Sequence, residues 1–162
     1  MGDLWAASTP VQVIKDVLRV VRESPNATFL MLTKNPNRYL EFMGIMPANV
    51  VLGVTIETDR YPGTVAYTLA PSPMHRALNM WELKRLYPQV KTMVCIEPIM
   101  DFDLEMLTAL IIGIQPAYVY IGYDNHGHKL SEPPLEKTQK LIEILKGFTQ
   151  VREKTLRNTW ND

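Results

Sequence analysis

Cys95 is the only cysteine among the 162 residues. A single thiol cannot close an internal disulfide, build a Cys-rich zinc site or hold an iron–sulfur cluster through three or four thiolates. An excess of either charge is also missing: Lys plus Arg and Asp plus Glu both number 17. No long-range field therefore draws in nucleic acid or an anionic membrane, and neither is indicated as a partner. Nothing approaches the roughly 18 consecutive apolar residues of a membrane span, and no basic segment leads into an apolar run at the start. The cytoplasm is the expected compartment, where the sequon Asn26-Ala27-Thr28 goes unglycosylated. Also absent are a Gly-rich P-loop, a G-x-G-x-x-G turn, a G-x-S-x-G elbow and an H-E-x-x-H helix, which removes the common nucleotide-hydrolysis and serine-hydrolase mechanisms.

What is present is apolar and regularly interrupted. With 46% hydrophobic residues and no Pro- or charge-rich linker, residues 1–162 are expected to form a single domain around one core. Ser8-Thr9-Pro10 offers an N-cap and a Pro at the first helical position, before Val13, Ile14, Val17, Leu18 and Val21 recur at helical spacing. Thr28 to Leu32 is too short for a helix and reads as a strand buried on both faces, ending at Thr33-Lys34. Pro36 opens a second helix through Tyr39, Leu40 and Met43. Asn49 to Ile56 repeats the strand pattern and stops at Glu57, and residues 60 to 72 form the longest irregular stretch.

Ser72-Pro73 then caps a helix whose Ala77, Leu78, Trp81 and Leu86 are expected to face inward. Lys91 to Ile96 is a third strand ending at Glu97. Asp103 leads into a helix with Leu104, Leu107, Leu110 and Ile111, and Ala117 to Ile121 is a fourth strand ending at Asp124-Asn125. Pro133-Pro134 begins the last helix, with Leu141, Ile142 and Leu145, and Phe148 to Glu153 is a weaker fifth strand followed by Lys154. Asp3-Leu4-Trp5 reads as a further strand stub. Alternating strands and helices mean parallel βαβ units and an α/β fold. The pattern fits an incomplete parallel (β/α) barrel, since a full one takes about 250 residues, or alternatively an open doubly wound sheet.

In both architectures the ligand site lies beyond the carboxyl ends of the strands. That rule selects Lys34, Glu57, Glu97, Asp124, Asn125 and Lys154 as candidate ligand-binding residues, with Thr33 and Thr58 beside them. Glu57 and Glu97 directly follow apolar strands, so dehydration is expected to raise their carboxyl pKa values and suit them to acid–base or binding work. Lys34 offers an opposing charge or a carboxylate or phosphate contact, and Lys154 an anion contact. Asp124, His126 and His128 are the one metal-like group, without diagnostic spacing, and support a metal-assisted hydrolase as one alternative. His75 reads as a surface residue and Cys95 as a buried, inert thiol.

The segments Thr28 to Arg38, Asn49 to Glu57 and Ile96-Glu97-Pro98-Ile99 resemble, in matching order, an uncharacterised family of radical-SAM-like barrels found in phages, bacteria and archaea. Asp3-Leu4-Trp5 is similar to that family's aspartate-leucine-aromatic segment. The threonine-lysine-x-proline element at Thr33 to Pro36 is the most specific part, and the likeness covers nearly the whole chain. It implies a (β/α) barrel with an iron–sulfur cluster and S-adenosylmethionine at the carboxyl face. The family's cysteine motif has no counterpart here, and its glycine-glycine-glutamate is replaced by Gly122-Tyr123-Asp124-Asn125. No iron–sulfur cluster is thus expected on this chain, while S-adenosylmethionine remains a candidate ligand. The resulting expectation is a C-terminal barrel portion that is not catalytic alone, or else a ligand- or partner-binding barrel remnant. Its open side would be covered by a second copy or by a cluster-bearing partner chain.

Overall fold

A computed structural model describes residues 2–60 and 70–159 of the chain. Most of the irregular stretch expected over 60 to 72, with Pro62 and Gly63, lies outside the described residues. The elements run α1 (Val11–Arg22), β1 (Phe29–Thr33), a 3-10 helix (Pro36–Ile45), β2 (Val50–Thr55), α2 (Pro73–Leu86), β3 (Thr92–Ile96), α3 (Leu104–Ile114), β4 (Tyr118–Ile121), α4 (Leu135–Lys146) and β5 (Gln150–Glu153). The strands form one sheet in the order β1-β2-β3-β4-β5, and every neighbouring pair is parallel.

Sequential order without reversal decides which face the helices cover. Crossovers of a single hand, repeated in one direction, return every helix to the same side of the sheet. The alternating side chains follow that division. Leu52, Val54, Val94, Ile96, Val119 and Ile121 pack with Ile14, Leu18, Met80, Leu107, Leu110 and Leu141 in the main core. Val51, Met93 and Cys95, with Tyr118 and Tyr120 against them, form a smaller cluster on the opposite face. A doubly wound sheet needs a switch point where the order reverses, and these five strands contain none.

Several local expectations are corrected. The second helix is a 3-10 helix, and its buried Pro36, Tyr39 and Phe42 fall three apart, the spacing at which 3-10 side chains eclipse. Asp3-Leu4-Trp5 is a turn, not a strand stub. Trp5 is instead driven into the core, packing edge-on against Tyr39 at 4.7 Å and Phe42 at 5.7 Å. Neither Ser8 nor Thr9 caps α1, because Pro10 holds that position and the Thr9 hydroxyl donates to the Asp3 carbonyl. Leu78 and Leu86 are exposed; the inward row of α2 is Pro73, Arg76, Ala77, Met80 and Leu83. β1 is buried on one face only, leaving Leu30 at 49% and Leu32 at 43% exposure. The fifth strand begins at Gln150, with Phe148 exposed ahead of it.

Two side chains tie the layers together. The Tyr39 hydroxyl lies 2.6 Å from the Met31 carbonyl and 2.8 Å from that of Gly53, joining the 3-10 helix to β1 and β2. The Asn49 amide reaches the carbonyls of Val21, Ser24 and Ala27 at 3.1, 3.0 and 2.9 Å, closing the end of α1 against the start of β2. On the far side, α3 approaches α2 so closely that a Cβ on Gly113 would stand 2.5 Å from the Trp81 ring, whose indole N–H donates to the Leu110 carbonyl. Gly113→Ala should therefore displace Trp81 and cost about 1–3 kcal/mol. Urea denaturation followed by tryptophan fluorescence measures this, and an unchanged midpoint would mean that the ring is not held against α3.

Candidate functional site

The carboxyl end of β1 is organised by Asp3, a residue that the strand-end rule overlooked because it precedes the first helix. One carboxylate oxygen accepts the Trp5 N–H at 2.9 Å; the other accepts the Thr33 hydroxyl at 2.7 Å and the Lys34 N–H at 3.0 Å. Asn35 donates to the Trp5 carbonyl at 2.9 Å, and Arg38 donates to the carbonyls of Ala6 and Thr9. Thr33 to Arg38 therefore acts as a socket for residues 3–9. This accounts structurally for the polar residues of the threonine-lysine-x-proline element, with Lys34 left to project over the sheet.

Lys34 meets Glu57. Its ammonium lies 3.0 Å from one carboxylate oxygen, while Arg76 donates to the other at 2.6 Å and to the first at 3.3 Å. Arg76 is fully buried and is saturated further by the carbonyls of Thr55 at 2.8 Å and Pro71 at 2.7 Å. Burial alone would raise the Glu57 carboxyl, but the Arg76 hydrogen bonds, the Arg76 charge and the Lys34 charge outweigh it, so the pKa is lowered. This corrects the expected upward shift: Glu57 is a held carboxylate, not a proton donor. Arg76 was missed because polarity inside a helix reads as surface, although it stands in the same row as the buried Pro73 and Met80.

Across the sheet, Glu97 forms an ion pair with Lys154. Glu97 precedes Pro98 through a cis peptide bond. Gly122 lies between these partners at the end of β4, where a Cβ would stand 3.1 Å from Lys154 Cβ and 3.4 Å from Glu97 Oε1. Thr55 pairs with Cys95 in register, and Glu57 and Glu97 each follow two residues later. Both carboxylates thus rise from the face opposite the main core. Beneath them Cys95 is buried, and desolvation, then the Glu97 charge, pushes its thiol up to about 11. A single protonated thiol does not fit as the anchor of an iron–sulfur cluster.

Asp124 serves its own loop. It accepts the N–H groups of His126 at 3.0 Å and His128 at 2.7 Å, with His128 Nδ1 at 2.9 Å. The two imidazoles are gathered with their ring centroids 5.5 Å apart, and Asn125 is exposed at the tip. Among the described residues, no group of three or more His, Cys, Asp or Glu is placed to hold a metal ion. Arg157 fastens the loop from outside, donating to the Asp124 carbonyl at 2.8 Å and to both carboxylate oxygens of Glu132 at 2.9 and 2.6 Å.

Burial opposes ionisation of Asp124, and the His128 and His126 hydrogen bonds overcome it, lowering its pKa from 3.8 to about 2. A depressed carboxyl pKa contributes stability that is complete above the unfolded value and lost as pH falls through the folded value. The Asp124 contribution should therefore fade between about pH 4 and pH 2. Thermal melts across that range should show a shallower acid limb in Asp124→Asn than in the parent. Identical limbs would mean that the loop does not hold Asp124 ionised.

The Lys34 end of the site opens into a cleft of about 790 Å³, lined by Asp3, Ser8, Leu32, Thr33, Lys34 and Thr55 among others. No helix of the described residues is long and apolar enough to cross a membrane. No curated protein and no solved structure matches the chain. A family model described as "Protein of unknown function (DUF5131)" matches residues 1–113, and the chain belongs to that family.

Proposed function

We propose that this chain is the C-terminal part of a radical-SAM-like (β/α) barrel, not catalytic alone, which holds a ligand over the carboxyl ends of its strands. One observation carries the reading. Lys34, Glu57, Glu97 and Lys154 come from the ends of β1, β2, β3 and β5 and form two ion pairs, in each of which the lysine is the outer member. The lysine side chains are 38% and 48% exposed, against 11% and 19% for their carboxylate partners. An incoming ligand meets the cations first, so the site suits a carboxylate or phosphate. Glu57 and Glu97 aim the two lysines, and hydrogen bonding to Glu97 raises the Lys154 pKa.

S-adenosylmethionine is the leading candidate because it carries a carboxylate beside an ammonium group, so each end of the row offers it an opposite charge. Its binding would leave the chemistry incomplete: one cysteine cannot supply a cluster, and the radical step would require a cluster-bearing partner. Such a partner is favoured by β1, which exposes Leu30 and Leu32 at an edge that no other strand among the described residues pairs with. A remnant barrel that only binds a ligand or partner is the second reading, favoured by that same edge.

Calorimetric titration with S-adenosylmethionine tests the proposal. Lys34→Ala and Lys154→Ala should each weaken binding roughly tenfold, about 1.4 kcal/mol, while Lys15→Ala on the outer surface of α1 should not. Lack of binding by the parent chain, or binding indifferent to both site lysines, would overturn the assignment of this ligand to this row.

A further inference from the structure

We infer that the β1 edge is a slot for one parallel β-strand, apolar on both faces, supplied by the polypeptide that completes the barrel. This deepens the partial-barrel reading above and rests on it. The backbone defines the slot first. The Phe29 N–H donates to the Asn49 carbonyl at 2.9 Å, so Phe29, Met31 and Thr33 turn their polar groups toward β2. N–H and C=O of one strand residue leave on the same side, so Leu30 and Leu32 point theirs off the sheet. The next N–H in that outward row belongs to Lys34 and is taken by Asp3. The open edge therefore ends at the carboxyl end of β1.

The side chains define it next. A groove of about 630 Å³ runs along this edge, lined by Leu4, Val13, Val17, Val20, Leu30 and Leu32 among others. α1 turns Ile14, Leu18 and Val21 into the core, while Val13, Val17 and Val20 form a second apolar row, one turn apart, along the groove. Val13 and Val20 are exposed, as are Leu30 and Leu32. An occupant would lay one face on the α1 row and extend the Leu30–Leu32 row with the other, so it is apolar on both sides. Trp5 also lines the groove, and its buried indole N–H has no acceptor among the described residues.

Chain direction selects a parallel strand. Asp3 fixes the start of the described chain at the carboxyl end of β1, α1 returns to the amino end where Asn49 meets the Val21 carbonyl, and β1 runs forward again. A strand feeding α1 through a right-handed crossover lies beside β1, under α1 and parallel to it. Gly2 and Leu4 line the groove, which places its carboxyl-end mouth beside the first described residues. A strand in the slot would finish next to Gly2.

The test joins the strand Val-Ile-Val-Ile-Val directly before Gly2 of the full chain, with a Gly-Ser extension of equal length as the comparison. Hydrogen exchange at the Leu30 and Leu32 amides is the readout. The apolar extension should slow exchange at both by at least about tenfold, independently of protein concentration, and the Gly-Ser extension should not. Leu32→Pro in the extended chain should abolish the protection, because the N–H it removes faces the slot and not β2; Leu30→Lys should weaken it by charging the edge. Failure of the extension to protect these amides would overturn the inference. So would protection in the unextended chain that grows with concentration, which would assign the edge to a second copy. S-adenosylmethionine titration of the unextended chain reports on the ligand row separately, so either result can fail without the other.

Discussion

The buried Glu57–Arg76 pair sets the geometry on which the carboxyl face depends. Arg76 enters from the first turn of α2 and binds Glu57 together with the carbonyls of Thr55 and Pro71, so one guanidinium fixes the end of β2, the approach to α2 and the carboxylate between them. Two opposite charges removed from water gain little over an apolar pair of similar volume. Removing one partner, however, strands the other and costs about 3–5 kcal/mol. The pair therefore acts as a positional constraint. It holds Glu57 ionised at the strand end, and Lys34 then finds its counter-charge there. The placement of the outer lysine follows from the inner arginine.

The two edges of the sheet are chemically unlike. β5 is clothed in charge: Arg152 lies over the Tyr118 ring at 4.7 Å and donates to the Tyr120 hydroxyl, and Glu153 meets Lys146 at 2.8 Å. Charge on an edge discourages further strand pairing. β1 itself carries no charged side chain, and the helix beside it presents a second apolar row to the same groove. A sheet that guards one edge and leaves the other apolar has a direction in which it can be extended. The polar row at the strand ends lies between these edges, with Lys34 nearest the open one.

Much of the fold was legible because strands buried by a parallel sheet are apolar throughout and helices keep their own period. The strands at Val50–Thr55, Thr92–Ile96 and Tyr118–Ile121 were readable from composition, and Asp103 as an N-cap was readable from its position, its carboxylate accepting the Met106 N–H at 2.9 Å. Lys34, Glu57, Glu97 and Lys154 followed from the rule that polar groups gather where buried strands stop. β1 was misread as covered on both faces because an apolar run looks the same whether its second face is packed or waiting to be. Arg76 was missed because a buried arginine differs from a surface one only in its neighbours, and its row in α2 was the available clue.

The sequence by itself determined the order of elements, the parallel sense of the sheet and the residue types at the strand ends, since these depend on periodicity and on short-range chain geometry. Tertiary structure decided the rest. It set the ionisation of Glu57, which dehydration would raise and Arg76 lowers. It turned Asp3 from a supposed strand residue into the clasp of β1, and gave the Asp124 carboxylate to its own loop. It also left the β1 edge unpaired among the described residues. Each of these depends on a group brought near by folding from a distant part of the chain, and a sum of opposing effects at close range takes its sign only when the partners are in place.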